Sequence, residues 1–254
     1  MIGVRRRPAT ARRAVLAGRL PAGLAGREWL VSLARPRSLA IRVAMPLVLG
    51  VPLVAGGAPT FWAAMLLTVL VAMVGAVGSG VGLARARASG LLARLAMVPR
   101  PAAHVVGGWV LAGASVDAAQ LSPLLVVVAA GGHAGATGVA ALALAVAAVL
   151  LVANALGCLL ARLAGGPGEV LLDVVVVLAP LLFLGGLFTG VPATGWRHAA
   201  ALVDPFTYLH AAFIAALGGD AEAGPAAICA AAAGWSAAAL SGLAAAARGT
   251  LGRV

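Results

Sequence analysis

Residues 83–101 read LARARASGLLARLAMVPRP, a basic island about one helix long set between two long apolar runs. Arg85, Arg87, Arg94 and Arg100 cannot rest in hydrocarbon, so this segment stays in water on one side of a membrane. Between the arginines, Leu91, Leu92 and Leu95 recur at helical spacing. The island therefore reads as an amphipathic surface offered to another molecule, or else as a loop that only sets topology.

The flanking runs decide the class. The chain of 254 residues is 63% hydrophobic and 10% charged, with mean hydropathy +1.07. Soluble domains carry about 25% charged residues. Several runs of roughly 18–25 apolar residues are transmembrane candidates. They are continuous Ala, Val and Leu, not the alternating pattern of a membrane β-barrel. The expected fold is an all-α polytopic membrane protein with six spans near 41–55, 61–81, 102–130, 138–160, 170–187 and 225–247. Residues 1–38 form a basic tail and an amphipathic helix, and 39–254 the six-span domain.

The net charge is +11, and all 18 basic residues are Arg. The arginines cluster beside the apolar spans, which favours the positive-inside rule over nucleic-acid binding as their explanation. With the N-terminus in the cytoplasm, the inside segments hold every arginine except Arg197. Asp204, Asp220 and Glu222 fall outside. Both termini are therefore expected in the cytoplasm. The composition, rich in Ala, Gly and Arg with no Lys, suggests a GC-rich bacterial genome and so a bacterial plasma (inner) membrane.

Local signals fill in the chain. Residues 10–16, TARRAVL, are faintly similar to a twin-arginine signal, but Pro21 interrupts and no sustained apolar stretch follows, so a cytoplasmic tail is expected. Residues 22–35 read as an interfacial helix with Leu24, Trp29, Leu30, Leu33 and Ala34 on one face, ended by Pro36. Pro46 and Pro52 make the first span irregular. Gly78 and Gly82 have the small-xxx-small spacing that lets helices approach closely. Pro123 predicts a kink in the third span. Residues 188–217 are expected to form one or two short helices packed at the outer surface. Arg197 and Asp204 there are candidates for a weak surface ion pair. His104 and His210 read as interfacial or packed groups, and Phe206, Trp196 and Tyr208 as an aromatic belt.

Catalytic chemistry is sparse. A nucleotide-binding P-loop needs a lysine, and the chain has none. No nucleophile elbow, HExxH pair or CxxC is present. Cys158 and Cys229 lie within apolar runs and are expected as free thiols, and neither cysteines nor histidines have metal-site spacing. No cofactor is expected in this chain, and energy for transport would enter from another polypeptide. Asp117 and Gln120 share one face of the third span. A mid-span acid is a functional-site candidate by default. With Asn154 it could line a substrate path, or it could be packed in an interhelical hydrogen bond with a neighbour such as Asn154.

Three features together resemble the ABC-2 family of ABC-transporter permeases. The first is the amphipathic segment around Arg27, Glu28, Trp29, Leu30 and Arg35, similar to the family's connecting, or elbow, helix. The second is residues 89–99, SGLLARLAMVP, similar to the loop between spans two and three in which a Gly, a short amphipathic helix and a Pro make the coupling helix. The third is LGGLF at 184–188 with Pro192, Gly195, Trp196 and DPFTYL at 204–209, similar to the external stretch before span six. The similarity covers nearly the whole chain in order. Ala86 and Ala88 stand where the family usually has acids, and Asp204 where Asn is commoner.

The resemblance implies the membrane subunit of an exporter of drug-like, lipid or glycan cargo. Two permease copies, identical or different, would pair with two separate ATPase subunits, which hold ATP and Mg. Gly90, Leu91, Leu92, Arg94, Leu95 and Pro99 would carry the coupling contact. Phe188, Pro192, Trp196, Asp204, Pro205 and Tyr208 would belong to an external gate. A non-transport membrane scaffold or maturation protein, and a secondary transporter, are the alternatives. Sparse intramembrane charge and the lack of a visible repeat of halves count against the latter.

Overall fold

The computed structural model describes residues 24–96, 102–131 and 135–251. The basic tail before residue 24, Pro99, Arg100 and His133 lie outside the described residues. Among those described, every regular element is a helix. In chain order these are α1 (Leu24–Leu33), α2 (Pro36–Ala55), α3 (Thr60–Ala88), α4 (Leu91–Ala96), α5 (Ala102–Gly131), α6 (Ala136–Leu163), α7 (Pro167–Leu184), α8 (Trp196–Val203), α9 (Pro205–Ala216) and α10 (Pro225–Leu251).

Six of these, α2, α3, α5, α6, α7 and α10, are long and apolar enough to cross a membrane. The chain is thus a multi-pass, all-helical membrane protein. In hydrocarbon a backbone must satisfy its hydrogen bonds within its own segment, and helices do this. Pro46, Pro52, Pro123 and Pro180 all sit inside helices.

Helices α3 and α6 form the centre of the bundle and its most extensive pair. Their sides bury Leu67, Val71, Leu142, Val149 and Leu150. Around them stand α5, α7, α9 and α10, while α2 packs mainly on α5. The outer helices keep large apolar side chains exposed, such as Val48 on α2 and Val176 on α7. That pattern suits a surface solvated by lipid.

The close contact between α3 and α6 lies at Gly157 and Gly80. A Cβ on Gly157 would overlap the Ala76 carbonyl oxygen, and one on Gly80 would come within 2.9 Å of the Gly157 carbonyl oxygen. Gly78 and Gly82, the expected pair, meet only ordinary contacts, at 3.4 Å from Asp117 and 3.8 Å from Trp109. Spacing identified a small-residue helix, but the face that turns inward is set by the partner.

Two helix boundaries differ from the sequence reading. Pro36 starts α2 rather than only ending α1, because proline at a first helical position has no amide hydrogen to leave unpaired. The helix of the second span does not stop with its apolar run near residue 81. Helix α3 continues to Ala88 and carries Arg85 and Arg87 in its last turn. Ala and Arg are good helix formers, so the helix extends beyond its apolar portion.

The connection before α10 also differs from a surface decoration. Two helices form there, bent by 76° at their junction. The second, α9, buries Phe206, Leu209 and Phe213 and packs on α3, α6 and α10. It is part of the core at its end of the bundle.

Candidate functional site

Three places hold the residues singled out by sequence. The first is the turn joining α3 to α5. Helix α3 ends at Ala88 with Ser89 as its cap, Gly90 follows with φ +69°, and α4 begins at Leu91. The left-handed conformation at Gly90 lets the chain reverse without Cβ strain. Leu91 and Leu92 are half-buried and pack against the core. Ala93 and Arg94 are exposed and Leu95 is half-exposed. Two leucines thus anchor α4 to its own bundle, which leaves Ala93, Arg94 and part of Leu95 facing outward.

Neighbouring groups stiffen this end. Arg87 donates from Nη2 to the Ala164 carbonyl at 2.6 Å and from Nη1 to the Arg162 carbonyl at 3.4 Å. These contacts tie the end of α3 to the end of α6. A guanidinium also suits carbonyls at a helix C-terminus, where the dipole is negative. The Gly165 amide donates to Glu169 Oε2, which links the same corner to the start of α7. On the other flank, α1 packs on α5, and Trp29 Nε1 donates to Ser115 Oγ at 3.3 Å. Leu33, expected on the apolar face of an interfacial helix, is 56% exposed.

The second place is a buried polar knot where α3, α5 and α6 meet. Asn154 donates from Nδ2 to Asp117 Oδ2 at 3.0 Å and to the Leu150 carbonyl at 2.8 Å. Its Oδ1 accepts from the Ser79 hydroxyl. All three side chains are buried. Gln120, one turn from Asp117, is buried too, and its Nε2 has no hydrogen-bond partner among the described residues. Of the two readings open for Asp117, this geometry supports the interhelical hydrogen bond. Ser79, the third member, was not singled out because it looks like one more small residue in a Gly-rich helix end.

The depth of the knot follows from helix register. Gly50 on α2 lies against Leu124 on α5, and Gly131 lies against Val54. At ~1.5 Å per residue, stepping back along both helices brings Arg42 level with Asp117. Asp117 therefore lies level with the arginine-bearing end of α2. Helix α5, with 30 residues, is ~45 Å long and outruns a ~30 Å hydrocarbon core.

The third place is the opposite end, where α7, α8 and α9 meet the start of α3. Asp204 is buried and caps α9: its Oδ1 accepts from the Phe206 amide at 2.8 Å, and Pro205 takes the first helical position. Thr207 Oγ1 donates to the Gly185 carbonyl at 3.1 Å. Tyr208 donates to the Leu202 carbonyl at 2.9 Å across the bend. The expected Arg197–Asp204 pair does not form. Arg197 donates to Thr189 Oγ1 at 3.0 Å and lies over the Phe183 ring at 4.6 Å, because the Asp204 carboxylate is turned inward to its cap. His198 Nδ1 donates to the Pro192 carbonyl at 2.9 Å. His210 Nε2 donates to the Phe61 carbonyl at 3.2 Å, its ring edge-on to Phe61. A carbonyl can only accept, so these bonds fix which nitrogen bears hydrogen. Phe188 and Trp196 remain exposed.

Cys158 and Cys229 are free thiols. Among the described residues, no group of three or more His, Cys, Asp or Glu side chains is placed to hold a metal ion.

A family model described as "ABC-2 type transporter" matches residues 23–217. That span runs from α1 through α9 and includes all three places. No curated protein and no solved structure matches the chain.

Proposed function

The chain belongs to the ABC-2 type transporter family, and from that premise we propose that it is the permease half of an exporter powered by a separate ATPase. It is a membrane transport component without an ATPase site of its own. The absence of lysine agrees with this, since a P-loop could not be built here. ATP and Mg²⁺ then belong to the partner. Two ATPase subunits would act on two permeases in a bacterial plasma membrane, with both termini of each permease cytoplasmic. The cargo would be amphipathic: drug-like, lipid or glycan.

The observation that carries the reading is the placement of α4. It hangs on Gly90 between two long spans, anchored by Leu91 and Leu92, with Arg94 exposed. A rigid-body push on such a helix would act on α3, against which it packs, and through the chain on α5. Both helices meet α6 at the Ser79–Asn154–Asp117 knot, so the push reaches the centre of the bundle. Pro99 would close the coupling segment. At the far end, the capped bend at Asp204–Pro205, with Phe188, Pro192, Trp196 and Tyr208, would form the external gate.

The test is co-purification with any stand-alone ATPase encoded beside this chain's gene. An Arg94→Glu/Leu95→Asp double variant inserts normally into the membrane, loses the ATPase and stops transport. Undiminished co-purification would count against docking at α4. A neighbouring gene set without a stand-alone ATPase would favour the scaffold alternative.

A further inference from the structure

The coupling scheme leaves a cavity at the end of the bundle opposite α4 without a role. Its volume is about 390 Å³, and it is bounded by the start of α3, the α7–α8 connection, the α8–α9 bend and the turn leading to α10. Small-molecule sites range over ~300–1,000 Å³ and are mostly apolar with a few polar groups. Here Phe61 and Tyr208 supply aromatic surface, Ala211 and Ile214 an apolar wall, and Asp220 and Glu222 the charge. Both acids line the cavity while exposed to solvent, which places them at its rim.

No arginine is among its lining residues. Arg197, on the neighbouring helix α8, is drawn away to Phe183 and Thr189. His198 and His210 each donate one ring N–H to a backbone carbonyl. The lining therefore holds two carboxylates, two aromatic rings and two histidines whose hydrogen-bonded N–H groups are already taken by backbone carbonyls, and no arginine.

We propose that this cavity binds a small organic cation with an apolar body. The positive head sits toward Asp220 and Glu222, and the body lies against Phe61, Tyr208 and the apolar wall. Aromatic faces attract a cation through their quadrupole. An organic anion of the same size meets two carboxylates with no arginine to offset them. The proposal rests on the transporter reading only for the side from which the ligand arrives.

Calorimetric titration of the purified full chain in detergent, without any ATPase, tests the proposal. The probe is benzyltriethylammonium. Saturable binding is expected, weakening as salt rises. An Asp220→Asn/Glu222→Gln double variant, altered only at exposed side chains, binds about tenfold more weakly. Benzenesulfonate, an aromatic ion of opposite charge, neither binds nor competes. The proposal is overturned if benzyltriethylammonium does not bind, if the double variant keeps its affinity within about twofold, or if the sulfonate competes. Those outcomes leave ATPase docking at α4 untouched, and loss of the docking reading leaves this measurement unchanged.

Discussion

Asn154 is the side chain on which three helices agree. Its amide donates to Asp117 and accepts from Ser79, so both neighbours depend on it. Replacing it with Ala leaves a buried carboxyl and a buried hydroxyl without their partner. Hydrogen bonds between membrane helices are worth ~0.6 kcal/mol on average and up to ~1.7. Asn154→Ala should therefore destabilise the purified chain by about 1–2 kcal/mol, read from its unfolding in mixed micelles. Asp117→Asn keeps an acceptor facing Asn154. It should remain within about 0.5 kcal/mol of the parent and keep transport intact. Loss of transport with stability unchanged would return Asp117 to the substrate path. At the other end, Asp204→Ala removes the α9 cap and should cost about 1 kcal/mol, while Asp204→Ser retains most of it. A pair of thermal melts separates these. The likeness of Asp117 and Asn154 as rare polar groups in apolar runs was visible in sequence. Ser79 was not, because serine is common on small-residue helix faces.

The elements were legible wherever hydrophobicity alone defines them. Continuous apolar runs forecast all six spans, because a membrane rewards nothing else over such a length. Helix ends were less legible, since hydropathy reports the lipid layer while backbone hydrogen bonding continues past it, as in the last turns of α3. Helix α9 was underestimated for a related reason. Its apolar stretch is too short to span, yet α3 and α6 offer it an interior face. Which glycines matter is likewise decided by the neighbour. Gly157→Ala should force α3 from α6 by a clash with the Ala76 carbonyl. A cost of about 1–3 kcal/mol is expected for such overpacking, with lower yield of folded protein on size exclusion. Gly78→Ala meets its first neighbour at 3.4 Å and should be tolerated. Equal behaviour of the two would mean the α3–α6 contact is looser than its geometry. At Gly90, an alanine would have to adopt φ +69°, at a cost of about 1 kcal/mol. It should therefore lower coupled ATPase activity more than it lowers membrane insertion.

At the scale of the molecule, the two ends differ in charge. One carries Arg85, Arg87, Arg94 and Arg162 around the α4 turn and the α6 end, and the other carries Arg197 with Asp204, Asp220 and Glu222. Arginine retained on short loops marks the cytoplasmic side, and a coupling helix can meet an ATPase only there. Docking at α4, as proposed, requires the orientation that the charge bias predicts, and one experiment tests both. In a chain with Cys158 and Cys229 replaced by Ala, a cysteine placed at Ser89 should react with a membrane-impermeant maleimide only in inside-out vesicles. One placed at the exposed Ala193 should react only in right-side-out cells or spheroplasts. Reversed labelling would put α4 outside, where no ATP-driven subunit could reach it. That result would remove the coupling role while leaving the helical bundle, the polar knot and the capped bend as they stand.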